Sequence, residues 1–573
     1  MSKKWEYSDF ENVGKLQQIM EDLDVSRPIG KLLLNRGIDT FEKAKSFFRP
    51  NIEELHDPFL MKGMDEAVIR IQDAIDNGEN ILIYGDYDVD GTTSVALVYQ
   101  YLNNFTSHLH YYIPDRYKEG YGVSEIGINF AIDNNFTLII ALDCGIKAID
   151  QVKRAKEHNI DFVICDHHTP GQDLPEGIIL NPKQKGCLYP FKELCGCGVG
   201  FKLVQALNDS FALPFSEIDY LLDLVMVAIG ADMVSVMGEN RILAYHGLKK
   251  LNEAPRIGFM TLLELANKKP PLTVTDVVFT IAPRINAAGR IKSGNKAVEL
   301  LLAKTILEAQ TIGKEINDYN TDRKLIEKSI TEEALEKIRK NSVLRNASAT
   351  VLFDPSWHKG VVGIVASRLI EHYYRPTVVL TLSNGLAVGS VRSIKDFNVY
   401  NALEECSEYF EQFGGHQFAA GLTMKPENVE PFALKFNVIV SKQLNNEKQM
   451  VSLNIEENID FRDIFLDERQ SIPKFYRVLK QFAPFGPDNM KPIFSTNQVR
   501  FLGSPKLLKE AHLKLTVYQD LDQDISIDAI GFNMAEFFPE LNAKPISIAY
   551  HLEENNWNHA QKLQLVIKDL FVE

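Results

Sequence analysis

Short apolar runs recur along the first half of the chain, and each gives way to a turn and then to a stretch of helical length. "ENILIYGD" leads into "TTSVALVYQYLNNF", and "FTLIIALD" into "IKAIDQVKRAKEHN"; "IDFVICD" and "EGIILNP" are two further runs. Continuous apolar strands alternating with helices predict a parallel sheet covered on both faces, hence an α/β fold. Before it, "VGKLQQIM" and "IGKLLLNRGI" read as short helices in an N-terminal segment, residues 1–50. Residues 297–342 carry no proline and only Gly313, which predicts one or two long helices bridging two domains. The strand–helix pattern then resumes in "SATVLFD", "VVGIVASRLIEHY" and "PTVVLTL". From about Val451 the texture changes again. Leu513, Leu515 and Val517 alternate in "HLKLTVYQ", with "PISIAYHL" and "LQLVIKDL" alike, so a small C-terminal β-barrel or sandwich is expected. The resulting divisions are 1–50, 51–296, 297–342, 343–445 and 446–573.

Composition narrows the class of protein. A hydrophobic content of 45% over 573 residues supplies several buried cores. No stretch reaches the roughly 18 apolar residues of a membrane span. "MSKKWEYSDF" has no apolar signal region, and six cysteines make no disulfide framework. A cytoplasmic protein is the expectation. The net charge of -15 argues against nucleic acid only if it is spread evenly. It is not: "RINAAGRIKSGNK", Arg284 to Lys296, holds four basic residues and no acidic one.

The candidate chemistry sits where the apolar runs end. The first is followed by Asp86, Asp88 and Asp90, the second by Asp143, the third by Asp166, His167 and His168. Ligands of open parallel sheets bind beyond the carboxyl ends of the strands, so these sets should share one crevice. Asp232, after the apolar "LLDLVMVAIGA", is available to it. Clustered carboxylates become favourable around a divalent cation. Asp with His, and no paired Cys, suits Mn²⁺ and related ions. Two ions about 3.5–4 Å apart are the arrangement for in-line displacement at phosphorus.

Each of these residues also has an ordinary reading. A single Asp after a strand caps a helix or forms a turn, and a single His is often a hydrogen-bonded core residue. Capping does not account for three successive strand ends carrying Asp or His. "DYDVDG" resembles half of a calcium loop, but Leu97 stands where the glutamate belongs. "CGCGVG" lacks zinc-ligand spacing, and its glycines are read as points where backbone approaches backbone or phosphate. No nucleotide-binding glycine loop or Walker lysine is present, so neither NAD nor ATP is expected.

The motifs "DYDVDG", "LDCG" and "DHH", with Asp232 in "IGADMVS", resemble those of the DHH phosphoesterase superfamily. Within it, "PRINAAGRI", "HKGVVGIVASRL", "GSVRS", "FGGHQFAAGLTM" and "FAPFGPDNMKPIF" are similar, in order, to segments of the RecJ exonuclease family. The resemblance covers nearly the whole chain. It implies a parallel-sheet DHH domain joined by a long helix to a smaller α/β DHH-associated domain, then an OB-fold. It also implies hydrolysis of single-stranded DNA from the 5′ end to nucleoside 5′-monophosphates, with two Mn²⁺ or Mg²⁺ ions, in repair and recombination. A single-strand-binding protein and a helicase are the implied partners, and a monomer is expected.

By the same resemblance Asp88, Asp90, Asp143, His167, His168 and Asp232 are metal ligands. Asp86 is a ligand or supports one, and Asp166 orients an imidazole. Ser390, Arg392, Gly414, Gly415 and His416 would hold phosphate near the scissile bond, with Arg392 and His416 steadying its charge. Arg116, Arg284 and Arg290 are further phosphate candidates, each otherwise a solvated surface arginine. Tyr121 is either a packed residue or a platform for a base. Cys197 departs from the small residue expected there. Two alternatives share the motifs: a phosphodiesterase for short oligonucleotides or cyclic dinucleotides, and an inactive replication scaffold. The roughly 120 residues after Val451 favour a polymeric substrate over the first, and the complete ligand set disfavours the second.

Overall fold

The computed structural model describes residues 3–8, 12–445, 447, 449–465, 472–519, 522–541, 544–557 and 560–572, side chains excepted at 522–524, 556, 557 and 560. Its first sheet is wholly parallel, in the spatial order Leu109–Tyr112, Ile81–Gly85, Leu138–Leu142, Asp161–Cys165, Ile178–Leu180. Ile81–Gly85 and Leu138–Leu142 are buried at every position, which is why their sequences run apolar without alternation. The edge strand Leu109–Tyr112 was not anticipated: its "LHYY" is exposed or half-buried at three of four positions and has no apolar run.

The apolar stretch before Asp232 is a helix, Leu222–Asp232, buried through Gly230. It is apolar on all sides because it lies inside the core between other helices. Its end turns through Met233, at φ 57°, leaving Asp232 at the mouth of the sheet's crevice.

One helix of 35 residues, Ile306–Lys340, about 52 Å long by its rise per residue, connects the first domain to the second. Thr305 caps it, accepting the Glu308 N–H. The second domain has a mixed sheet in the order Phe410–Gly415, Ala419–Met424, Leu386–Arg392, Thr377–Ser383, Thr350–Phe353. The last three-fifths or so of the C-terminal segment is a five-stranded closed barrel. It consists of Phe494–Phe501, His512–Gln519, Asp522–Gly531, Ile546–Trp557 and Ala560–Val572, and Val499–Phe501 pairs back onto Val517–Gln519 to close it. No helix among the described residues is long and apolar enough to cross a membrane.

The N-terminal segment differs from its reading as short helices alone. Lys4–Tyr7 is a strand, paired in parallel with Ser452–Ile455. The helices that follow put Leu16, Ile19, Leu32, Leu33 and Phe47 into the same core as the barrel residues Leu515, Ile548 and Leu565. The two ends of the chain therefore form one module.

Arg241 fixes that module to the first domain. Its buried guanidinium donates to the carbonyls of Phe47, Gln481, Phe482 and Ala483 and lies 3.6 Å from the centre of the Phe47 ring. Two helices end there, Phe41–Phe48 and Lys474–Lys480, so the cation faces two negative dipole ends. Arg241→Met leaves buried carbonyls without a donor. A loss of about 2–3 kcal/mol in urea-unfolding stability is expected.

Candidate metal centre and adjoining cleft

The strand ends converge. His167 Nε2 lies 3.2 Å from Asp143 Oδ1, 3.6 Å from Asp232 Oδ2 and 3.8 Å from Asp90 Oδ2. Potential ligand atoms of Asp143, His167 and His168 form one group and those of Asp90, His167 and Asp232 a second, sharing His167. Two adjacent groups are what a two-ion site needs, and His167 Nε2, with its single lone pair, can serve one of the two ions.

Local structure fixes each donor. Asp88 caps the helix Val89–Leu102, accepting the Gly91 N–H at 3.0 Å. Asp90 sits one turn on, and its two oxygens accept the N–H groups of Gly196 and Cys197 at 2.6 and 2.7 Å. Those donors open the helix Gly196–Ser210, whose dipole favours a carboxylate there. Asp143 takes a left-handed backbone, φ 59°, with its N–H donated to Cys165 O. Asp166 accepts from the N–H groups of Ile146 and His168 and from His168 Nδ1 at 2.7 Å, which leaves His168 Nε2 facing the cluster. Tyr121 resolves in favour of the cleft: its hydroxyl is 3.1 Å from His168 Nε2, and the residue is 57% exposed.

The glycines of "CGCGVG" serve these carboxylates. A Cβ on Gly196 would lie 2.5 Å from Asp143 Cβ and 2.6 Å from its Oδ1. Cys195 and Cys197 are buried and belong to neither candidate ligand group. Gly196→Ala displaces Asp143 while removing none of the ligand residues. Mn²⁺ affinity measured by calorimetry is expected to fall about 10- to 100-fold.

The charge balance shows what the cluster lacks. Burial, then the neighbouring carboxylates, push Asp90 up to about 7 and Asp232 up to about 9. Asp86 and Asp143 rise for the same reasons. Burial, then the charge of His168, brings His167 down to about 3, keeping the imidazole in its neutral, ligating form. Asp86 Oδ1, Asp143 Oδ1 and His167 Nε2 are buried with no hydrogen-bond partner. Buried polar atoms left unpaired are costly, and a hard or borderline divalent cation with oxygen and imidazole ligands satisfies those of Asp143 and His167; Asp86 and Asp88 fall in neither ligand group. The donor set fits such ions.

A second, positive cluster adjoins the first. Arg116 lies 4.8 Å over the Tyr87 ring. Tyr87, Arg116, Tyr121, Lys359, Ser390 and Gly414 line one cleft between the two α/β domains. Arg392, at the end of its strand, donates to Val391 O. Burial, then the charge of Arg116, lowers it. Burial, then Arg116, Arg323 and Arg392, brings Arg290 down to about 10. Among the described residues, Arg116, Arg290 and Arg392 form no ion pair, whereas Arg323 pairs with Glu327. Like charges gathered without counter-charge mark an anion site.

The other candidates fall as follows. Gly415, at φ 153°, makes the close return in which the His416 N–H donates to Ala419 O at 2.8 Å. His416 is exposed at that turn, within the field of His168, and is lowered by burial and then by His168. Gly414 faces the cleft with open space where a Cβ would be. Arg290 donates to Gly360 O and ties the two domains. Arg284 is not brought to the cleft group: it donates to Asn317 Oδ1 on the long helix and to Thr280 O. Lys359 was missed, because a single lysine in "HKGVVG" carries no signal until the fold places it opposite Arg116.

Three family models match the chain: the DHH family N-terminal domain over residues 80–229, the DHHA1 domain over 346–442 and the RecJ OB domain over 462–569. The single-stranded-DNA-specific exonuclease RecJ of Bacillus subtilis is 38% identical, over 97% of this chain and 70% of its own length. The protein of that name from Escherichia coli is 31% identical, over 89% of this chain and 90% of its own. Among solved structures, RecJ from Thermus thermophilus in complex with Mn²⁺ superposes with a TM-score of 0.84 at 25% identity, covering all of this chain and 80% of that one. A Mg²⁺ complex of that protein has also been solved.

Proposed function

The chain belongs to the RecJ family of single-stranded-DNA-specific exonucleases, and from that membership we propose that it removes nucleoside 5′-monophosphates successively from the 5′ end of single-stranded DNA. The enzyme is a metal-dependent exonuclease, with Mn²⁺ or Mg²⁺ as its cofactor. One observation carries the assignment of residues: a cluster of acidic and imidazole groups, with buried atoms that pair with no protein group, lies beside a cluster of guanidinium groups without carboxylate partners among the described residues. A phosphodiester held together with divalent ions supplies both deficits at once.

Asp88, Asp90, Asp143, His167, His168 and Asp232 would hold two ions, with Asp86 beside them. The bound ions supply a water nucleophile at neutral pH and stabilise charge at phosphorus. Asp166 keeps the His168 ring oriented, with Nδ1 on the carboxylate and Nε2 beside the Tyr121 hydroxyl. Arg392, with Ser390 and Arg116, binds phosphate oxygens through charge-assisted hydrogen bonds. His416, kept neutral by burial and the positive charges around it, offers a hydrogen bond to the departing 3′ oxygen. Tyr87 and Tyr121 present aromatic faces to unpaired bases, which a duplex cannot offer. The barrel adds a second contact with the strand. Proteins that deliver single strands, a single-strand-binding protein and a helicase, are the partners this activity calls for, and a cytoplasmic monomer engaged in repair and recombination is its setting.

The test uses 5′- and 3′-end-labelled single strands with Mn²⁺. Early release of labelled mononucleotide from the 5′-labelled strand, with the 3′ label retained on shortening fragments, is the expected result. Early loss of the 3′ label would refute the polarity. Cleavage confined to dinucleotides would refute the polymeric substrate.

A further inference from the structure

Lys183 lies in the turn "NPKQKG" and belongs to none of the motifs considered so far. Its placement is unusually well determined. Asn181 is fully buried, and its Oδ1 accepts the Lys183 N–H at 2.8 Å while its Nδ2 donates to the carbonyl of His168 at 2.9 Å. One amide thus ties the backbone of Lys183 to that of a candidate metal ligand. The field of the ammonium reaches His167, Asp232 and His416. Arg116 acts instead on Asp86 and Tyr87. Lys183 follows Ile178–Leu180, the strand at one edge of the sheet, and Arg116 follows Leu109–Tyr112 at the other, so the two cations flank the strand ends from opposite edges.

Lys183 Nζ is 3.4 Å from Glu193 Oε2, with the side chains 27% and 55% exposed. An ion pair this exposed contributes little and is readily exchanged. Glu193 is anchored as firmly as its partner. Its carbonyl accepts from the buried Asn240 Nδ2 at 2.6 Å, and it lies two residues before Cys195, the cap of the helix that holds Asp90. A strand crossing the metal centre must set its successive phosphates on both sides of the scissile one.

We infer that Lys183 holds the phosphate next to the scissile one, on the side away from Arg116 and Arg392, exchanging the Glu193 carboxylate for a phosphate oxygen. This rests on the exonuclease reading above. A dinucleotide has no phosphate at that position, whereas a longer strand does.

The test compares wild type, Lys183→Met and Lys183→Arg on a 20-nucleotide single strand and on a dinucleoside monophosphate, whose one phosphate is the scissile one. Equilibrium binding of the long strand is also measured across a salt series, with Ca²⁺ in place of the active ion. For Lys183→Met, KM for the long strand is expected to rise about tenfold, with kcat changed far less. The slope of log K against log salt should fall by about 0.7, one phosphate contact on a single strand. Lys183→Arg should restore most of both. The loss in kcat/KM on the dinucleotide should be at least about fivefold smaller than on the long strand. An unchanged salt slope, or equal losses on the two substrates, would overturn the inference. Lys183→Gln serves as the neutral variant if Lys183→Met does not fold. The slope is read from binding alone, so it is decided even if the wild type leaves the strand intact, a result that would count against the exonuclease reading instead.

Discussion

Asp143→Asn is expected to abolish hydrolysis of single-stranded DNA, by about 10³-fold or more in kcat, without destabilising the metal-free protein. Asp143 is buried at a strand end, and its Oδ1 has no hydrogen-bond partner. Burial, then Asp90, Asp88 and Asp232, opposes its charge. An amide of the same shape removes that unfavourable charge, so thermal stability in chelator should hold or rise. Stabilisation by added Mn²⁺ should shrink, because it reflects binding to the folded state alone. A change in the opposite sense in chelator, a lower melting temperature with activity retained, would mean that Asp143 supports the fold and not the chemistry.

Arg392→Ala is expected to lower kcat/KM by about 10²-fold, with circular dichroism and melting temperature little changed. The guanidinium is half-buried, pairs with no described carboxylate, and sits in the field of Arg116. Among the described residues its hydrogen bond runs to the carbonyl of its neighbour Val391. Removing it relieves repulsion within the protein and takes a phosphate contact from the substrate. Arg392→Lys should recover only part of the loss, since an ammonium cannot fork onto two phosphate oxygens. Steady-state kinetics on an end-labelled strand decide it.

The convergence of acidic and imidazole groups was legible because strand ends converge by geometry. An apolar run fixes a strand, a parallel sheet brings its carboxyl ends together, and polar residues just beyond them must meet. What supports the ligands was not legible. The N–H groups that hold Asp90 belong to Gly196 and Cys197, more than a hundred residues away, and backbone donors leave no trace in side-chain identity. The basic stretch shows a different limit. Arg284 and Arg290 are six residues apart on one helix, about 240° around its axis, so both cannot face one cleft. Charge count alone could not choose between them, and the structure turns Arg284 to the long helix. The union of the N-terminal helices with the barrel was hidden for a related reason. Periodicity tells which face of a helix is buried, not against what.

The central claim is that the acidic and imidazole groups share divalent ions. Anomalous scattering from a Mn²⁺-soaked crystal, recorded at the manganese edge, tests it most directly. Two adjacent peaks are expected, one by Asp143 and His168 and one by Asp90 and Asp232, with His167 Nε2 ligating one of them. Manganese bound elsewhere, with His167 Nε2 and Asp143 Oδ1 still without a ligand, would contradict it.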